Sequence, residues 1–175
     1  MIYPIRAVSF MLIHLAVLTG CATSAGLPQT RDEFVSGMKS GRLFTNVEKV
    51  IASRPVKAVV ADVTDYAKRC LNVRATSGPS YQYKSAGGST TYRPKIEAIQ
   101  NGAVALSVQE EYNDKPQSGA PPGGIFVVVA EIRGAGNNKT QVDIYYLSAR
   151  GKIVDPLKQW INGDKRLCPS LKRVL

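Results

Sequence analysis

One stretch limits the architecture of this chain more than any other. Val56, Val59, Val60, Val63, Tyr66, Ala67 and Cys70 recur at helical spacing, with Lys57, Asp62, Asp65, Lys68 and Arg69 on the other side. An apolar stripe of that kind must be covered, and the residues after it supply the cover. From residue 71 the pattern turns to strands. Val104, Leu106 and Val108 alternate as a half-buried strand does, and residues 125–133 are almost continuously apolar, as in a central strand. A two-sided helix followed by a run of strands predicts an α+β domain.

The remaining elements fit that frame. Thr30-Arg31-Asp32-Glu33 matches a capping box, and Phe34, Val35 and Met38 give the helix it opens an apolar side that Gly37 and Gly41 keep short. Residues 47–52 read as a strand, and Ser53-Arg54-Pro55 starts the long helix. Further strands are predicted over 71–76, 81–85, 89–93, 95–100, 103–112, 125–133 and 140–148. Asn101-Gly102 is the strongest hairpin signal, whereas residues 113–124, with three prolines and three glycines, form a long polar loop. Ile153, Val154, Leu157, Trp160 and Ile161 close the chain as a helix stopped by Gly163, with Asp155-Pro156 a candidate start. Its Trp160 stripe reads as core rather than as a ligand site. The expectation is an antiparallel sheet of about five to seven strands with two main helices on one face. That element order is similar to helix-grip domains, including those of a lipoprotein subunit of the outer-membrane β-barrel assembly machinery.

The first 20 residues read differently. Ala7 to Leu18 is almost wholly apolar, follows a lone Arg6 and is too short to span a bilayer comfortably. It runs into Leu18-Thr19-Gly20-Cys21, which resembles the lipobox of bacterial lipoproteins. The resemblance implies cleavage before Cys21 and acylation of Cys21, and two or more acyl chains give stable anchoring. Ala22 in place of an aspartate implies the outer membrane. The implied organisation is a signal peptide over 1–20, a lipidated tether over 21–29 and a single periplasmic α+β domain over 30–175. Residues 22–29, fully extended, reach roughly 26–29 Å, so the domain works close to the membrane surface.

That division sharpens the chemistry. The one histidine of the chain, His14, falls in the signal, so the mature chain has none. Ser-His-Asp and Cys-His catalysis and His-ligated zinc are thereby excluded, and no cofactor or metal is expected. Of 23 basic residues only Arg6 is lost, leaving 22 against 13 acids. Cys70 and Cys168 remain as a pair, which an oxidising periplasm joins most simply as a disulfide, with two separate buried thiols as the alternative. Closing a loop of about 100 residues is worth up to ~4.7 kcal/mol in the chain-entropy model. Neither cysteine has the Cys-x-x-Cys spacing of a redox site.

Catalytic candidates are few. Glu110 and Glu111 are adjacent, so on a strand they point to opposite faces and cannot flank one bond. Glu131 and Asp143 could meet across a hairpin, but paired surface acids are ordinary. Gly134-Ala135-Gly136 lies between strands and opens no helix. Basic and aromatic residues are the better candidates for contact with a partner or anionic surface. These are Lys165, Arg166, Lys172 and Arg173 near the end, and Tyr81, Tyr83, Tyr92 and Arg93 in a predicted hairpin. The partners implied are a membrane through the lipid, an envelope protein, and an anionic lipid or glycan; nucleic acid is the class this compartment disfavours. The functional expectation is a non-enzymatic accessory, scaffold or binding subunit of an envelope complex. Its rivals are a carrier of a lipid or other apolar ligand, and a small hydrolase working through acids alone. Open apolar space between the sheet and the last helix would favour the carrier, and solid packing there would count against it.

Overall fold

The structure is a computed structural model, and it describes residues 26–41, 45–77, 88–115 and 117–171. The elements run α1 (Arg31–Lys39), β1 (Thr45–Ala52), α2 (Val56–Tyr66), a π turn (Ala67–Leu71), β2 (Arg74–Ser77), β3 (Gly88–Ala98), β4 (Val104–Tyr112), β5 (Ile125–Gly134), β6 (Thr140–Leu147) and α3 (Gly151–Ile161). The strands form one six-stranded antiparallel sheet in the order β1-β6-β5-β4-β3-β2. Strands β2 to β6 follow one another as a meander, and β1 adds to the far side of β6. Helix α2 therefore carries the chain from one edge of the sheet to the other.

Alternation along each strand sorts the side chains onto two faces. Leu106, Val108, Val128, Ala130, Ile132, Val142 and Ile144 bury one face beneath α2 and α3, whose Val59, Val63, Tyr66, Ile153, Leu157 and Trp160 lie opposite. Tyr66 and Trp160 pack with ring centroids 5.6 Å apart, and the Tyr66 hydroxyl donates to the Ile153 carbonyl at 2.8 Å. Two main helices on one face of an antiparallel sheet is the helix-grip-like arrangement that the element order predicts. The other face carries a smaller core, in which Phe34, Val35 and Met38 of α1 cover Val129 and Tyr145.

Several local expectations change. The segment read as a strand over 71–76 starts later. Asn72 N–H bonds the Ala67 carbonyl, and this wider turn buries both Cys70 and Leu71 before β2 begins at Arg74. The strands expected over 89–93 and 95–100 are one strand, β3, running straight through Pro94. The reason lies at the sheet edge. Tyr92 N–H bonds Val73 on the β2 side, so the Pro94 nitrogen two residues on points the same way, where β2 has ended and no ladder bond is forfeited. The expected strand over 81–85 and the turn beside it lie outside the described residues.

Helix α3 begins at Gly151, so Asp155-Pro156 lies inside it rather than at its start. A 3-10 turn over Ser148–Arg150 leads the chain in directly from β6. The other end follows the sequence. Gly163, at φ +97°, bonds the Trp160 carbonyl and Asp164 N–H bonds Gln159, the paired bonds of a Schellman stop. Thr30 caps α1 as expected, accepting from Glu33 N–H at 3.1 Å, while the Glu33 carboxylate reaches back to Gln29 N–H at 2.8 Å. At Asn101-Gly102 both residues have positive φ, the type I′ turn that joins β3 to β4.

Candidate functional site

The helix face buries an ionic cluster at the end of β4. Strand β4 alternates Leu106, Val108, Glu110 toward the helices, so Glu110 is carried into the core and is 1% exposed. Arg150, in the turn leading into α3, meets it through Nε to Oε1 at 2.5 Å and Nη2 to Oε2 at 2.6 Å. Tyr112 donates to Oε2 at 2.9 Å, and Tyr92 stands beside the same carboxylate from the paired position on β3. Burial, and then the Glu110 charge, push Tyr92 up to about 12. A carboxylate met by a guanidinium and a phenol is occupied, and among the described residues no second acid lines the space beside it. Glu111, one residue on, faces the opposite side and pairs with Arg93 at 2.5 Å.

Beside this cluster lies a cavity of about 30 Å³, with Thr90, Ser170 and Leu171 among its lining. Thr90 Oγ1 is buried there without a hydrogen-bond partner, and the space suits about one water. Between α3 and the sheet the packing is otherwise solid, since Ile153, Val154, Leu157, Trp160 and Ile161 are all at most 1% exposed.

Residues 162–171 form a strap back across α2 and α3. The disulfide Cys70–Cys168 ties it to the π turn, with Cα atoms 5.2 Å apart. Trp160 Nε1 donates to the Leu167 carbonyl at 2.7 Å, and Lys165 pairs with buried Asp62. Arg54 holds Asp62 from the other side at 2.6 Å and donates to the Ile161 carbonyl at 3.0 Å at the end of α3. Burial opposes the charge on Asp62, but the hydrogen bonds from Lys165 and Arg54 prevail and hold its carboxyl below the usual range.

The open concavity is on the other face. Helix α1 covers only the middle of that face, over Val129 and Tyr145. Toward β3 and β4 it leaves a groove of about 620 Å³, lined by Arg31, Lys95, Ile99, Ser107, Gln109, Pro121, Pro122 and Phe126 among others. Pro121 and Pro122 form one wall, in a segment fixed to β4: Gln109 Nε2 donates to the Pro122 carbonyl at 3.1 Å and to the Gly124 carbonyl at 2.8 Å. Gly124, at φ +97°, lies so close to the Glu110 carbonyl that an added Cβ would collide with backbone, so only glycine fits. Arg31 forms the opposite wall, paired to Asp32 at 2.5 Å and 3.8 Å from Glu97, with its Nη1 buried and without a hydrogen-bond partner among the described residues.

The residues expected at a contact surface are placed unevenly. Tyr92 is interior, held against Glu110, and so is not a surface contact. Arg93 is engaged by Glu111, Lys165 by Asp62, and Arg166 by Asp164 at 2.7 Å, a pairing that lowers Asp164 to about 2 through the Arg166 hydrogen bonds. These cations serve internal pairs and do not form one patch. Cys21, Tyr81, Tyr83, Lys172 and Arg173 lie outside the described residues. Glu131 and Asp143 do stand opposite each other on β5 and β6, but Asp143 is taken by Arg133 and by Gln141 at 2.9 Å. Sequence reasoning missed Arg150 and Arg31. For Arg150 a signal existed, because an acid on the core side of an alternating strand requires a cation from somewhere. Among the described residues no group of three or more His, Cys, Asp or Glu could hold a metal, and no helix is long and apolar enough to cross a membrane.

No family model and no curated protein matches the chain. Solved structures give distant likenesses. A START superfamily protein from Mycobacterium smegmatis matches at 8% identity and TM-score 0.39, covering 68% of this chain and 94% of its own. A hypothetical protein from Helicobacter pylori matches at 10% identity and TM-score 0.40, covering 73% of this chain and 90% of its own.

Proposed function

We propose that this chain is a lipid-anchored binding module of the bacterial envelope, and that its ligand is an amphipathic molecule seated in the groove beside α1. The observation that carries this reading is the groove itself. Its volume of about 620 Å³ lies within the range typical of small-molecule sites. Ile99, Pro121, Pro122 and Phe126 offer an apolar floor and wall, and Arg31 in the opposite wall supplies a cation for the ligand's head. The space under α3 is filled by side chains, so a carrier built on this fold would use the opposite face. The anchor rests on the lipobox resemblance at Cys21, and nothing in the groove resembles a catalytic constellation.

Native mass spectrometry of the full-length protein, extracted in detergent from its own membranes, tests this. The expected result is a defined lipid mass beyond the anchor that is lost in Ile99→Asp and reduced in Arg31→Met. A wild-type protein free of any extra mass, or equal retention by both variants, would overturn it. Cys21→Ser should move the protein out of the membrane fraction, and unchanged membrane retention would remove the anchor. The second reading, an accessory subunit of an envelope complex, is favoured by a different observation, the open edge at β1.

A further inference from the structure

Among the described residues the sheet ends in β1 on one side and β2 on the other, and the two sides are built differently. On β3 the residues that turn their backbone outward beyond β2 include Pro94, which has no N–H to give, so that edge is blunted. On β1, by contrast, no proline interrupts the strand from Thr45 to Ala52. Ala135 N–H bonds Lys139 in the β5–β6 hairpin, so by alternation the odd-numbered residues of β6 face β5 and the even-numbered ones face β1. Their partners Asn46, Glu48, Val50 and Ala52 face inward, which leaves the N–H and C=O of Val47, Lys49 and Ile51 aimed out of the sheet. The same three residues stand on the α1 face, where Val47 is 54% and Ile51 is 51% exposed. The Lys49 side chain lies between them, exposed and in no ion pair among the described residues, since the acid opposite it, Asp143, is held by Arg133. Lys39 adds a second positive charge beside Val47, stacked 5.2 Å over the Tyr145 ring that neighbours it.

We propose that β1 is a docking edge for an extended segment of a partner protein that carries apolar residues at i and i+4 and an acid at i+2. Such a segment would continue the sheet through main-chain hydrogen bonds, place its apolar side chains against Val47 and Ile51, and set its acid opposite Lys49. A second copy of this chain fits poorly. Antiparallel self-pairing that matches Val47 with Ile51 places Lys49 directly opposite the other copy's Lys49, a like-charge pair at the centre of the contact. The proposal rests on the accessory-subunit reading and is independent of the groove.

The test is an NMR titration of the full-length protein in detergent micelles with the capped nonapeptide Thr-Thr-Val-Thr-Glu-Thr-Val-Thr-Thr. The amide signals of residues 45–52 should shift with saturation, while those of the groove at Ile99 and Gln109 stay fixed. Replacing the peptide's glutamate with lysine should weaken binding by up to about fivefold, and Lys49→Glu should restore it for the lysine peptide. Lys49→Pro removes only an outward N–H and should abolish binding at an unchanged melting temperature; Val47→Asp with Ile51→Asp should do the same should the proline variant prove unstable. Absence of β1 shifts, indifference to the charge exchange, or a β1-dependent dimer seen by analytical ultracentrifugation would each overturn the proposal. Shifts confined to the groove would leave the ligand reading standing and remove this one.

Discussion

The two faces of the sheet use the same strands to different ends. On the helix face the central apolar side chains are fully buried, a buried carboxylate is neutralised by Arg150, and a disulfide pins the last segment in place. On the α1 face a nine-residue helix covers the middle and leaves open ground at both ends, the groove at β3–β4 and the exposed strip along β1. Stability is concentrated on one side and accessible surface on the other. A recognition surface set opposite a finished core can change without loosening that core, because neighbouring residues along a strand answer to different faces.

Truncations should reveal the asymmetry, and Trp160→Ala is the strongest test. It empties the centre of the helix face and should cost about 3–5 kcal/mol, read as a fall in the denaturant midpoint. Met38→Ala, the α1-face counterpart, should cost about 2–3 kcal/mol, and an equal or larger loss would break the comparison. Arg150→Met leaves Glu110 buried and unpaired, at a cost of about 3–5 kcal/mol. The double variant with Glu110→Gln should recover part of that, as a thermal double-mutant cycle would show. Cys168→Ser should cost about 2–4 kcal/mol and raise hydrogen exchange across 162–171 while leaving α1 unchanged.

The smallest effect is a pH dependence. The Asp62 carboxyl titrates lower in the folded protein than its ordinary value of 3.8, so its contribution is present above that value and is lost as pH falls through the folded pKa. In Cys168→Ser, acidification below about pH 3.8 should therefore loosen the strap further. Asp62→Asn should flatten that response.

Much of the helix face was legible because its signals are local. The Val56–Cys70 stripe, the Leu106–Val108 alternation, Asn101-Gly102 and Gly163 each fix their own geometry within a few residues. What escaped was set at a distance. Pro94 reads as a strand breaker until one knows that its nitrogen points past the end of β2. The π turn follows from burying Cys70 and Leu71 together, a demand of the core rather than of the helix. The groove depends on where α1 stops covering the sheet, and neither helix nor strand encodes that alone. Tyr92 looked like a surface aromatic beside basic residues, and only its register opposite Glu110 takes it inside.

The bond between Cys70 and Cys168 also bears on what a protease could do to this molecule. It joins two cysteines 98 positions apart into a covalent ring, and the proline- and glycine-rich loop after β4 lies within that ring. A single cut in the loop would separate the chain into two polypeptides, one carrying Cys70 and the other Cys168. They would still travel as one species until a reductant parted them.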